Sequence, residues 1–152
     1  MATKREVLRN LFEQYVKGTQ NGAVVIDKTV FFCHLTNQVN KVLGIKESVV
    51  YVRTIPIKHI YDKRPAEEFD FIVDYIHKVV KYPDHIYKNK SPKRGTFCFV
   101  KSIQDEKYLC SLEIIEENER KIMIVTAFRI RKDNYLDSYD LLWSWRNGES
   151  SS

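Results

Sequence analysis

The apolar positions of the chain follow a helical period in its first half and a period of two in its second. From Lys4 to Lys17, Val7, Leu8, Leu11, Phe12, Tyr15 and Val16 recur at steps of three and four. That spacing predicts an amphipathic helix, and Gly18 and Gly22 punctuate its end. Ala23–Ile26 (AVVI) reads as a short strand. Val30–Leu43 has helical spacing through Phe31, Phe32, Leu35, Val39, Val42 and Leu43, up to Gly44. A cap at Thr36 or Asn37 would instead begin a shorter helix at that point. Ser48–Ile55 alternates and is rich in β-branched residues, which predicts a strand. Pro56–Tyr61 fits a short helix with proline at a first helical position. Ala66–Lys81 is the strongest helix. Phe69, Ile72, Val73, Ile76, Val79 and Val80 form its stripe, Glu67, Glu68 and Asp70 open it, and Lys78 and Lys81 close it. Tyr82 and Pro83 stop it.

Beyond Pro83, His85–Tyr87, Gly95–Ile103, Lys107–Ile115 and Lys121–Ile130 read as successive strands, with hairpin-length polar connections at SIQDEKY and EENER. Tyr135–Trp145 fits a short helix or an edge strand. The expected architecture is α+β: N-terminal helices packed on a four-stranded or slightly larger antiparallel sheet. No linker or repeat divides the chain, so one domain is expected over residues 1–147. Its core spans about 48–147, residues 1–22 form a helical N-terminal addition, and 148–152 are a frayed tail.

A chain of 152 residues with 43% hydrophobic and 30% charged residues can bury roughly two-thirds of its unfolded surface. The net charge of +5 permits a polyanionic partner without requiring one. Its distribution is more informative. Between His85 and Lys101 there is no acidic residue, while Lys88, Lys90, Lys93, Arg94 and Lys101 all occur. The segment is either a solvated face or a phosphate-contacting surface. Cys33, Cys98 and Cys110 are widely spaced, and Cys98 and Cys110 read as small buried hydrophobes in a reducing, cytoplasmic protein. No apolar run reaches the length of a membrane span, and the polar N-terminus does not read as a signal peptide.

The four histidines (His34, His59, His77 and His85) show no metal-ligand spacing, so no metal is expected. His34, within FFCHL, reads as a core or boundary histidine, and His77 as exposed opposite the apolar stripe. There is no glycine-rich phosphate loop and no cofactor is expected. What remains is acid–base chemistry or simple binding. Two stretches carry it. IPIKHIYDKRP (Ile55–Pro65) places Lys58, His59, Lys63 and Arg64 just ahead of the long helix, and IMIVTAF (Ile122–Phe128) has Thr126 as its only hydroxyl. A titratable imidazole, fixed cations and a strand hydroxyl suit chemistry on a phosphate. Each residue also has a plainer reading. His59 can cap a turn, Arg64 can pair with Glu67 or Glu68, Thr126 can face a neighbouring strand, and Tyr135 can be a core or rim ring.

The ordered series KHI with a nearby arginine (Lys58–Arg64), YPDHI (Tyr82–Ile86), YL (Tyr108, Leu109), VTAF (Val125–Phe128) and Tyr135 resembles the phage- and mobile-element-associated members of the barnase–EndoU–colicin–RelE-like nuclease superfamily. The likeness covers roughly Val50–Trp145; the segment before Val50 fits less well. The resemblance implies a metal-independent endoribonuclease with His59, Arg64, Thr126 and Tyr135 as catalytic residues. It further implies cleavage of RNA by attack of the 2′-hydroxyl, with tRNA or other structured RNA as the target of relatives, and a toxin or effector role; the cationic surface suits an acidic antitoxin or immunity protein as partner. Lys58, Lys63, Lys88, Lys93, Arg94 and Lys101 are candidate substrate-binding cations. The competing reading is a non-catalytic nucleic-acid-binding or protein-interaction domain.

Overall fold

The computed structural model describes residues 4–46, 48–90, 95–116 and 120–145. Its elements are α1 (Lys4–Tyr15), β1 (Thr29–His34), α2 (Asn37–Leu43), β2 (Val49–Arg53), α3 (Thr54–Lys63), α4 (Ala66–Lys81), β3 (His85–Lys88), β4 (Phe97–Ile103), β5 (Glu106–Glu116), β6 (Arg120–Ile130) and β7 (Asp140–Ser144). Seven strands form one sheet in the order β1-β2-β6-β5-β4-β3-β7. All pairs are antiparallel except β2 with β6. The protein is therefore α+β, with a mostly antiparallel mixed sheet larger than the predicted meander. β3 to β6 were legible as neighbours because short connections favour hairpins. The parallel β2–β6 pair joins strands about seventy residues apart, and no local signal announces it.

The apolar stripe of α4 is buried along its length, from Phe69 to Val80, against the sheet face formed by Phe99, Cys110, Leu112, Ile122, Ile124 and Ala127. Full burial of such a side chain contributes about 1.5–3 kcal/mol. α1 adds Leu8, Leu11, Phe12 and Val16 to the same core, and Arg9 ties it to Asp74 of α4 at 2.8 Å. The N-terminal helix is thus built into the core.

Several expectations are corrected. Ala23–Ile26 is not a strand of the sheet, and Val24 and Ile26 are exposed; β-propensity without a pairing edge does not make a strand. Val30–Leu43 is not one helix. Its first half pairs with β2 as β1, with a register shift between Phe31 and Cys33 that leaves Phe32 and Cys33 both buried. Thr36 then caps α2 by accepting a hydrogen bond from the Val39 N–H at 3.3 Å. The alternative start at Thr36 or Asn37 is the one realised, because sheet pairing outweighs a helical spacing that continues across the cap. His34 is exposed and hydrogen-bonded with Ser48 Oγ at 3.1 Å, and His77 is half-buried. The segment after Tyr135 forms an edge strand, β7, paired to β3. The predicted tail, 148–152, lies outside the described residues. Among the described residues, no helix is long and apolar enough to cross a membrane.

Candidate functional site

The sheet face away from the main core carries a cleft. Strand alternation puts Cys98 of β4, and Leu109 and Ser111 of β5, on this face, opposite the core residues Phe99, Cys110 and Leu112. β6 reaches the same face through an irregularity. Ser111 pairs with Thr126, but Leu112 pairs with Ile124, so Val125 has no opposite number. Such a bulge breaks the period of two. Ile122 and Ile124 point into the main core, and past the bulge the core position becomes Ala127. Val125, Thr126 and Phe128 are left lining the cleft. Strict alternation from Ile122 would have turned Thr126 into the core.

The other wall comes from the α3–α4 junction, and the shortness of β2 explains how it gets there. β2 pairs with β6 only at Val50–Ile122 and Tyr51–Met123, then the chain departs as α3. The rest of the β6 edge is met by side chains. Arg64 Nε donates to Ala127 O at 3.3 Å, and the Arg129 N–H donates to Glu68 Oε2 at 3.0 Å. Glu68 is buried, also accepts from the Arg131 guanidinium, and lies 3.9 Å from Arg64 Nε. Arg64 is further held 5.2 Å from the centre of the Phe128 ring. Edge closure by this junction carries His59, Lys63 and Arg64 to the mouth of the cleft.

The cleft encloses about 600 Å³, and His59, Arg64, Thr126 and Tyr135 all line it, with Lys63, Asn89, Lys90 and Tyr139. No described aspartate or glutamate lines it. His59 is exposed, and its ring makes no hydrogen bond among the described residues. The reading that Arg64 pairs with Glu68 also holds, at a long distance. Tyr135 belongs to an aromatic row. It packs edge-on against Phe128 at 5.6 Å and stacks on Tyr139 at 5.8 Å. Lys90 lies 5.7 Å from the Tyr139 ring centre and donates to Ser138 Oγ at 2.6 Å. On the floor, burial pushes the Cys98 thiol up to about 12, which removes it as a thiolate nucleophile near neutral pH. Among the described residues no three His, Cys, Asp or Glu side chains are grouped to hold a metal ion.

The cations divide. Lys63 lines the cleft. Lys58 does not; it is buried, and its Nζ donates to Gln20 O at 2.6 Å and Asp62 Oδ1 at 2.7 Å, fastening α3 to the 20–22 turn. An adjacent helical residue points about 100° away, so His59 can face the cleft while Lys58 faces the interior. Lys101 donates to Tyr82 O at 2.8 Å and pairs with Asp84 at 3.4 Å. It sits on the helix-covered side of β4, in register with Phe99 and Ile103. Lys88 is exposed and shares the side of Ile86, also away from the cleft. Lys93 and Arg94 lie outside the described residues. Ser111 and Tyr139 were missed as site residues, and Lys90 was noted only as part of the basic segment between His85 and Lys101. Ser111 left one faint signal, a hydroxyl in the otherwise apolar run YLCSL.

A family model described as phage-Barnase-EndoU-ColicinE5/D-RelE like nuclease3 matches residues 33–138, more than half of the chain. The chain belongs to this family. Neither a curated protein nor a solved structure matches it. As a member of the nuclease3 family the protein is connected with nuclease activity and a nucleic-acid substrate. The matched segment contains every described cleft residue except Tyr139, while α1 and β7 lie outside it.

Proposed function

We propose that the protein is a metal-independent endoribonuclease that cuts RNA by transesterification. The 2′-hydroxyl loses its proton to a base and attacks the adjacent phosphorus. The O2′–P bond forms and the P–O5′ bond breaks. An acid protonates the departing 5′-oxygen, leaving a 2′,3′-cyclic phosphate and a 5′-hydroxyl. Because the substrate carries its own nucleophile, the protein need supply only proton transfer and charge stabilisation. His59 moves the proton, Arg64 and Lys63 oppose the negative charge on the non-bridging oxygens, Thr126 donates from the floor, and Tyr135 supplies a hydroxyl or a ring for a base to stack on.

One observation carries this reading: His59, Arg64, Thr126 and Tyr135, from separate parts of the chain, meet in one cleft with no carboxylate among the described residues of its lining. A phage or mobile-element toxin acting on tRNA or other structured RNA in the cytoplasm is the setting that fits the family. An acidic neutralising protein would complement the cationic cleft. The test is incubation of the purified protein with end-labelled tRNA and total RNA in excess EDTA, beside His59→Ala. Discrete cuts with cyclic-phosphate ends, lost in the variant, support the proposal. Salt-sensitive binding without cuts would make the domain a nucleic-acid-binding module, and RNA neither cut nor bound would point to a protein partner.

A further inference from the structure

Two hydroxyls on the cleft floor stand side by side without a partner. Ser111 Oγ and Thr126 Oγ1 are both buried and make no hydrogen bond among the described residues. They sit opposite each other in the β5–β6 ladder, immediately beside the bulge at Val125, and both residues line the cleft. Ser111 is 2% exposed.

Packing does not explain them. The neighbouring floor residues Cys98 and Leu109 are apolar, and alanine would fill the space of Ser111 without stranding a polar atom. Buried polar groups left unpaired oppose folding and are rare in native proteins. Directly opposed Ser and Thr residues ordinarily can bond each other across a ladder; these two do not. A ligand seated in the cleft would complete both, since both residues line it.

We propose that Ser111 is a further substrate-binding residue, whose Oγ joins Thr126 Oγ1 in donating to one non-bridging oxygen of the phosphodiester held over the cleft floor. The inference rests on the nuclease reading above and deepens it, since it names which part of the substrate the floor receives. Each hydroxyl turns about χ1 from its buried position toward the cavity. The turn exchanges an unpaired position for a charge-assisted hydrogen bond, the stronger kind. Arg64 at the rim opposes the charge that the floor receives. The bulge contributes geometry: it brings Thr126 onto the face that Ser111 already occupies.

The experiment compares wild type, Ser111→Ala and Ser111→Cys in single-turnover cleavage of a mapped RNA site carrying an Rp or an Sp phosphorothioate. The expected result is a 10- to 100-fold fall in cleavage for Ser111→Ala, with its melting temperature equal to or above that of wild type. Wild type should discriminate between the two diastereomers, and Ser111→Ala should lose most of that discrimination. Ser111→Cys should fall between the two, and serves alone if the alanine variant does not fold. Unchanged rate and unchanged discrimination overturn the assignment of Ser111 and leave the nuclease reading intact. A fall in rate matched by a fall in melting temperature, with discrimination kept, overturns it as well. If wild type cuts no RNA, the nuclease reading fails, and melting in inorganic phosphate decides Ser111. A phosphate-dependent rise lost in Ser111→Ala supports the site; an equal rise, or none in either protein, overturns it.

Discussion

Replacing Glu68 tests how the cleft is held open at the β6 edge. Its side chain is 3% exposed. One oxygen accepts the Arg129 N–H, which no strand pairs, and the other accepts from Arg131. Arg131 is 49% exposed, so that pairing adds at most about 1 kcal/mol. The bond from a part-buried backbone N–H to a charged acceptor contributes about 1.5–3 kcal/mol. Glu68→Ala should therefore cost about 3 kcal/mol. Glu68→Gln keeps a neutral acceptor and should cost roughly half as much. For a chain of this size the alanine variant should melt about 6–12 °C lower. Arg64 keeps Ala127 O as an acceptor but loses its carboxylate neighbour, so kcat/KM on RNA should fall by about tenfold in Glu68→Gln, equivalent to ~1.4 kcal/mol of lost positioning. The assay is urea unfolding of both variants, with Arg131→Ala and the double variant completing a cycle. Coupling between 68 and 131 should stay below about 1 kcal/mol, leaving the larger part of the loss to the strand edge. A Glu68→Ala protein as stable as wild type would refute the claim that this carboxylate closes the β6 edge.

Three further outcomes are expected. His59→Ala should lower RNA cleavage by about 10² to 10⁴-fold with an unchanged melting temperature, because the ring is exposed and makes no hydrogen bond among the described residues; a destabilised variant would assign His59 a structural role. Desolvation alone would raise the Asp62 carboxyl, but hydrogen bonds from Lys58 and the Gly22 N–H and the Lys58 charge outweigh it and hold the group below its ordinary 3.8. A lowered folded value stabilises the fold above the unfolded value and ceases to do so as pH falls through the folded one. The unfolding free-energy difference between wild type and Asp62→Asn should then be flat above about pH 5 and shrink below about pH 4, and a pH-independent difference would contradict this. Finally, Cys33, Cys98 and Cys110 are buried and form no disulfide, and burial raises both the Cys98 and Cys110 thiols. A thiol-reactive disulfide reagent at pH 8 should leave the native protein unlabelled and titrate all three cysteines once it is unfolded; rapid native labelling at Cys98 would show that the cleft floor opens to solvent.

Local pattern alone determined much of this protein. The α4 stripe and its charge placement, the amphipathic α1, the proline-associated α3 and the run of strands after Pro83 all follow from residues within a few positions of one another. The likeness carried by KHI, VTAF and Tyr135 was legible for the same reason, since each phrase lies within one element or turn. Tertiary structure decided the rest. Whether Val30–His34 was helix or strand depended on β2, whose edge it covers. Whether Thr126 faced the core or the cleft depended on a single unpaired residue, Val125, because a strand's side chains change face when one residue is added. Lys58 and His59 are adjacent in sequence, yet one is buried in an ion pair and the other lines the cleft, because a helix turns about 100° per residue and only packing fixes which side is inside. Ser111 gave almost no signal at all. Its hydroxyl gained meaning only when the β5–β6 register set it beside Thr126, and that register is a long-range property that hydrophobic periodicity does not contain.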